Sequence, residues 1–175
     1  MSRLLETIAI TADGARNCGY HQKRVDRAFQ AFYPDRNPII LDEIVREMKS
    51  DTLEKCRIVY EEEVISVNRE VYTPKRISSF QMVKADAIDY SHKFSDRSGL
   101  ESLLRGIIAD DIIIIKNGFI TDSSYANLAL LRNGVWYTPN TPLLPGTMRQ
   151  YLLENGVILP VDIYYTQVYD FEKVL

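Results

Sequence analysis

The chain has 175 residues, enough for one compact domain or two small lobes sharing a site. It is 46% hydrophobic, 26% charged and 10% aromatic, a globular composition that argues against disorder, and its net charge of −3 leaves no broad basic field for nucleic acid. Its two cysteines, Cys18 and Cys56, and two histidines, His21 and His92, are too few for a disulfide scaffold, a four-cysteine zinc site or a multi-histidine metal centre.

In chain order, residues 4–10 read as a strand that stops at the turn Ala12-Asp13-Gly14. Val25, Ala28, Phe29 and Phe32 form one helical face ended by Pro34, with His21 near its middle as a packed core histidine. Leu41, Ile44, Val45 and Met48 repeat that spacing in a second helix entered after Pro38. Residues 56–84 carry several β-rich runs, and Leu100, Leu103, Leu104 and Ile107 mark a third helix.

Two matching hairpin signals follow. Residues 112–116 join 119–121 through Asn117-Gly118, and residues 128–132 join 135–138 through Asn133-Gly134. A two-residue Asn-Gly loop suits a type I′ turn, in which both central residues take positive φ. Residues 112–138 are therefore expected to form one antiparallel meander with a buried first strand. A last helix starts near Pro145-Gly146 and stops at Asn155-Gly156. The class is α+β, and the rhythm of a doubly wound parallel sheet and a phosphate loop of the G-x-x-x-x-G-K type are both absent. The first ten residues lack the apolar core of a signal peptide, and the longest purely apolar runs, 112–115 and 128–131, are far short of a membrane span. With free thiols, this predicts a cytoplasmic protein with no membrane partner.

Four features carry chemistry as a set. Lys93, in Tyr90-Ser91-His92-Lys93-Phe94, is taken alone a solvated charge at a strand end; partly buried, its amine becomes a nucleophile for a carbonyl. Asp122 follows a short strand and precedes Ser123, Ser124 and Asn127. It reads either as a turn-capping aspartate or as a carboxylate that keeps a ring nitrogen protonated. Leu143-Leu144-Pro145-Gly146-Thr147-Met148-Arg149 opens a helix whose first N–H groups suit a phosphate, although Pro-Gly at a helix start is also a common structural signal. Arg24 lies at the edge of the first helix's apolar face, a solvated charge by itself or a fork for a phosphate. Lysine, ring-nitrogen carboxylate, phosphate cup and arginine are together what a pyridoxal 5′-phosphate site requires.

From about Leu4 to Val157 the chain resembles the class IV aminotransferases, the fold-type-IV pyridoxal phosphate enzymes that include branched-chain and D-amino-acid aminotransferases and 4-amino-4-deoxychorismate lyases. Leu5-Glu6-Thr7-Ile8 with Asp13-Gly14 is similar to the family's F-E-T-I…dG opening, and His21-x-x-Arg24 to its phosphate-binding H-x-x-R. Lys93 with Asp96-Arg97 is similar to its Schiff-base lysine and the helix that follows. Residues 121–127 resemble T-E-G-S-x-S-N, and residues 144–149 resemble L-P-G-x-x-R. The chain departs in carrying Asp122 for the usual glutamate, Thr147-Met148 for Ile-Thr, and Ser98 where branched-chain members often have tyrosine.

The resemblance implies a shortened two-lobed architecture like that of D-amino-acid aminotransferase, with lobes at 1–86 and 87–175 and the cofactor site between them. It implies Lys93 as the catalytic residue. Arg24, Lys93, Asp122, Ser123, Ser124, Gly146, Thr147 and Met148 would bind pyridoxal phosphate. A small amino substrate and a homodimer are implied as partners. Lys-x-x-Asp-Arg and P-G-T-M-R lean toward a lyase that releases pyruvate and p-aminobenzoate from an amino-substituted chorismate-type substrate, in folate synthesis. The alternatives are an aminotransferase acting on an amino acid and a keto acid, and a degenerate, non-catalytic member.

Overall fold

Alternating apolar residues in the first strand set the first sheet. In the computed structural model, which describes residues 3–175, strand β1 (Leu4–Thr11) turns through Gly14, at φ 107°, into the two-residue β2 (Gly14–Ala15). β1 also pairs antiparallel with β3 (Glu54–Tyr60), and β3 with β4 (Val64–Val71), giving the order β2-β1-β3-β4. Successive strand residues face opposite ways, so Leu4, Glu6, Ile8 and Ile10 share one face. Helix α1 (Cys18–Phe32) buries His21, Arg24, Val25, Ala28 and Phe29. The apolar members of both sets meet in one core, where Phe29 stacks on Tyr60 with ring centroids 6.2 Å apart. Full burial of each large apolar side chain there contributes about 1.5–3 kcal/mol.

Two details of this region differ from the sequence expectation. Phe32, placed by spacing on the apolar face, is 38% exposed and meets the His92 ring edge-on at the end of the helix. Helix α2 (Leu41–Val45) is a turn shorter than the 41–48 spacing predicts. Past Val45 the chain leaves the helix, closed by the Met48 N–H donating to the Val45 carbonyl, and Met48 joins the core from that turn.

The second region is built around β6 (Asp111–Lys116), whose run of isoleucines is buried on both faces. Ile112 and Ile114 pack with Leu100, while Ile113 and Ile115 pack with Ile120, Leu128 and Leu130. A continuous apolar run rather than an alternating one is what a strand covered on both sides requires. β5 (Phe80–Lys84) lies parallel to β6, and β7 (Phe119–Ser123) antiparallel to it. β8 (Leu130–Arg132) and β9 (Val135–Pro139) form the second hairpin. Both Asn-Gly turns have positive φ at both residues, 51° and 85° in the first and 51° and 75° in the second, as a type I′ turn demands.

The expected single meander over 112–138 is corrected by the pairing. β7 belongs to the sheet β5-β6-β7, whereas β8 lies in β10-β9-β8-β11, with β10 (Leu159–Val161) parallel to β9 and β11 (Lys173–Val174) antiparallel to β8. The hairpins part at Ser123, where the chain folds back on itself: the Ser123 N–H donates to the Ala126 carbonyl, and its hydroxyl accepts from the Tyr125 and Ala126 amides. Helix α3 (Ser98–Ser102) buries Leu100 but ends before the predicted Leu103–Leu104–Ile107 stretch, and Gly106, at φ 76°, turns the chain out of helical geometry. Helix α4 (Thr147–Glu154) runs as expected from Gly146 to Asn155, with Gly156 at φ 66° closing it.

The chain resolves into two compact units, Met1–Lys75 with His92–Asp96, and Arg76–Ser91 with Arg97–Leu175. Among the described residues no helix is long and apolar enough to cross a membrane.

Candidate active site

In the first unit the candidate residues lean on β1. Glu6, fully buried at 0% exposure, occupies an in-phase position on the apolar face of that strand and looks onto α1. Arg24, whose spacing allows a solvated surface charge or a fork for a phosphate, is not solvated: it is buried and grips Glu6 with two bonds. Its Nε donates to Oε1 at 2.8 Å and its Nη2 to Oε2 at 2.5 Å. The Nδ1 of His21, one helical turn earlier and also buried, lies 2.5 Å from the same Oε2. Burial alone would raise the Glu6 carboxyl, but the bonds and charges of Arg24 and His21 outweigh it and hold the group below its ordinary range. Removing one partner of such a pair strands a buried charge, at a cost of about 3–5 kcal/mol.

Lys93 is half-buried and lies beside the same strand. Its carbonyl accepts the Leu5 N–H at 2.9 Å, Phe94 bridges Leu4, and the Ser95 N–H donates to the Arg3 carbonyl. The lysine is thus tethered by backbone one residue away from the strand position that holds Arg24.

In the second unit Asp122 sits at the end of β7, 6% exposed. Its Oδ1 accepts from the Asn127 side-chain amide at 2.5 Å, and its Oδ2 from the backbone N–H groups of Leu143 and Leu144 at 2.7 and 3.1 Å. Burial pushes its carboxyl up to about 6, against these hydrogen bonds and the positive charge of Arg149. Among the described residues no cation is in ion-pair contact with it.

Asn127 ties this carboxylate to the start of α4. Its Nδ2 also donates to the Leu144 carbonyl at 2.8 Å, and its Oδ1 accepts the Gly146 N–H at 2.9 Å. A Cβ on Gly146 would fall 2.1 Å from that Oδ1, so the close approach that demands glycine here is the asparagine's. Thr147 and Met148 form the first positions of α4. Arg149 turns back to strand β9, donating to the Thr138 hydroxyl and the Pro139 carbonyl. Ser123 caps the turn after Asp122, and the Ser124 carbonyl accepts from Arg97 Nη2 at 2.6 Å.

Within each unit, then, candidate residues share a neighbour: the Lys93 backbone bonds to Leu5 and the Arg24 side chain to Glu6 on the same strand, and Asp122 and Gly146 both bond to Asn127. Glu6 and Asn127, quoted in the sequence motifs but given no role, are the organising groups. The signal for Glu6 is its charge in phase with Leu4, Ile8 and Ile10; none of comparable sharpness marks Asn127.

Each unit by itself carries groups whose chemistry suits one part of a phosphorylated pyridine: an anion in the first, a ring N–H⁺ in the second. Arg24 spends Nε and Nη2 on Glu6, with His21 Nδ1 also 3.4 Å from Nη2, and keeps Nη1 without a partner among the described residues. Asp122 is a buried carboxylate that a ring N–H⁺ would complete, and one further acceptor position on its Oδ1 is open.

The family model for amino-transferase class IV matches residues 99–175. A crystal structure of a Haemophilus somnus protein, provisionally named a 4-amino-4-deoxychorismate lyase, is 36% identical and superposes over 100% of this chain and 94% of its own with a TM-score of 0.91. An uncharacterised protein of Haemophilus influenzae is 35% identical, over 99% of this chain and 95% of its own length. A hypothetical aminotransferase of Mycobacterium tuberculosis in its PLP-bound form shares the fold, at a TM-score of 0.78 and 16% identity over 99% of this chain and 76% of its own.

Proposed function

Because the chain belongs to the class IV aminotransferase family, we propose that it is a pyridoxal phosphate-dependent lyase. Its substrate would be an amino-substituted chorismate-type compound, and its products pyruvate and p-aminobenzoate. The observation that carries the cofactor reading is Asp122, a buried carboxylate with a raised pKa and no ion-pair partner among the described residues. The lyase reading is supported by the Lys93-x-x-Asp96-Arg97 pattern and by the name of the 36%-identical Haemophilus somnus relative.

When bound, the cofactor supplies an electron sink for a substrate carbanion. The chain's residues do the rest. Lys93 would hold the cofactor through its amine and would take and return the substrate proton. Asp122 would hold a proton on the ring nitrogen. Arg24, through the donors left over from Glu6, and the Thr147 and Met148 amides at the start of α4 would be the phosphate's ligands in this reading. Ser123, whose oxygen accepts from two amides, keeps its hydroxyl hydrogen to donate, and Ser124 and Gly146 complete the set. The reading includes a cytoplasmic homodimer, as in the wider family.

Adding pyridoxal phosphate to the purified protein should produce a visible absorption band, and borohydride should fix the cofactor on Lys93. Absence of the band, or label on another residue, overturns the reading. Lys93→Ala should lower turnover at least about 100-fold, the usual scale of a positioned acid–base group. Pyruvate formed from aminodeoxychorismate without any keto-acid acceptor identifies the lyase; a strict need for an acceptor identifies a transaminase instead.

A further inference from the structure

We infer that Glu6 is a positioning residue for phosphate recognition: it locks the Arg24 guanidinium in its binding orientation before any ligand arrives. The inference rests on the phosphate role proposed above for Arg24 and adds to it a group with no contact to the ligand.

A guanidinium has five N–H donors in a rigid planar fork. Glu6 takes one edge of that fork through two parallel bonds, Nε to Oε1 and Nη2 to Oε2, at 2.8 and 2.5 Å. Fixing one edge fixes the plane, so both hydrogens of Nη1 and the second hydrogen of Nη2 have a single available direction. A phosphate on that outer edge would be met by two parallel donors, the geometry in which arginine recognises anions best.

Glu6 cannot yield easily. Its residue is fully buried on β1, its neighbours Leu4 and Ile8 on the same face are core residues, and His21 Nδ1 pins Oε2 from a second direction. The carboxylate also cancels most of the arginine's charge, so its contribution to binding is geometric rather than one of raw attraction. An arginine ordered in the folded chain loses little rotamer freedom on binding, which raises affinity without adding a contact.

The experiment compares pyridoxal 5′-phosphate with pyridoxal, which lacks the phosphate, by titrating absorbance in wild type, Glu6→Asp and Glu6→Gln. Glu6→Asp keeps the charge but withdraws the carboxylate by one methylene, so it separates position from charge. The wild type should favour the phosphorylated form strongly. Both variants should lose about tenfold or more of that preference, with pyridoxal affinity unchanged. If Glu6→Asp keeps the full preference, Glu6 is not a positioning residue. If Glu6→Gln increases the preference, Glu6 only damps the arginine's charge and the inference also fails. A wild type that does not distinguish the two ligands removes the phosphate role of Arg24 itself, and this inference with it. In the unaltered protein, the Arg24 Nε–H should exchange slowly by NMR with and without inorganic phosphate; fast exchange without ligand overturns pre-orientation even if neither variant folds.

Discussion

Asp122 shows how burial at a single residue becomes a dependence on pH. In an unfolded chain an aspartate titrates near about 3.9, and in the folded chain burial pushes Asp122 up to about 6. The folded state therefore binds that proton more tightly than the unfolded state. Its contribution to stability is complete below about pH 4 and is lost as pH rises through 6, a total of about 3 kcal/mol for a shift of this size. Asp122→Asn has no such titration. Urea denaturation of both proteins between pH 4 and pH 8 should show the wild-type-minus-variant stability falling by about that amount as pH rises; a difference that does not vary with pH would refute the assignment. The uncharged variant also loses an acceptor for Asn127 or for the Leu143 and Leu144 amides, a deficit of about 1–3 kcal/mol at every pH.

At the level of elements, the two Asn-Gly hairpins share a turn but not surroundings. A Cβ on Gly118 would lie 2.5 Å from Cε2 of the Tyr164 ring, whereas one on Gly134 would meet nothing within 4 Å. Gly134→Ala should cost only the left-handed conformation, about 1–2 kcal/mol, and Gly118→Ala should cost that plus displacement of the tyrosine. Thermal melts that rank the two equally would show that Tyr164 does not pack on the first turn. These turns were readable because everything that decides them lies within two residues. Which hairpin joins which sheet was not, since β7 and β8 are parted by the fold-back of Ser123 onto Ala126 and β6 gains a parallel neighbour from residues 80–84. The second and third helices are shorter than their spacing predicts for a related reason: apolar spacing continues through Met48 and Ile107, but those side chains reach the core from turns.

For the whole molecule, the two units carry opposite responses to acid. Glu6 is held below its ordinary range, so its contribution is complete above about pH 4.3 and is lost as pH falls through its folded value, the reverse of Asp122. Hydrogen exchange, corrected for intrinsic rates, should therefore show amides of β1 losing protection on acidification and amides of β7 losing it as pH rises from about 4 to about 7; parallel behaviour of the two strands would contradict the arrangement. The same pair marks the limit of what the sequence discloses about the site. Lys93, Arg24, Asp122 and Gly146 are recognisable from local motifs, but the bonds that fix them run from Glu6 to residues 15 and 18 positions on and from Asn127 to a residue 19 positions on, distances at which only the folded chain shows a partner. A different consequence follows from β4, the outermost strand of its sheet, on which Val64, Ile65, Val67 and Val71 are all exposed. One side of its backbone has no neighbouring strand in the sheet, and with four apolar side chains alongside, it is a template for adding foreign strands. Its charged residues, Arg69 and Glu70, are paired inward to Glu54 and Lys55 of β3, so they guard the outer edge little. Edge-to-edge association between copies of the chain is accordingly expected at this strand, and Val67→Lys should weaken it.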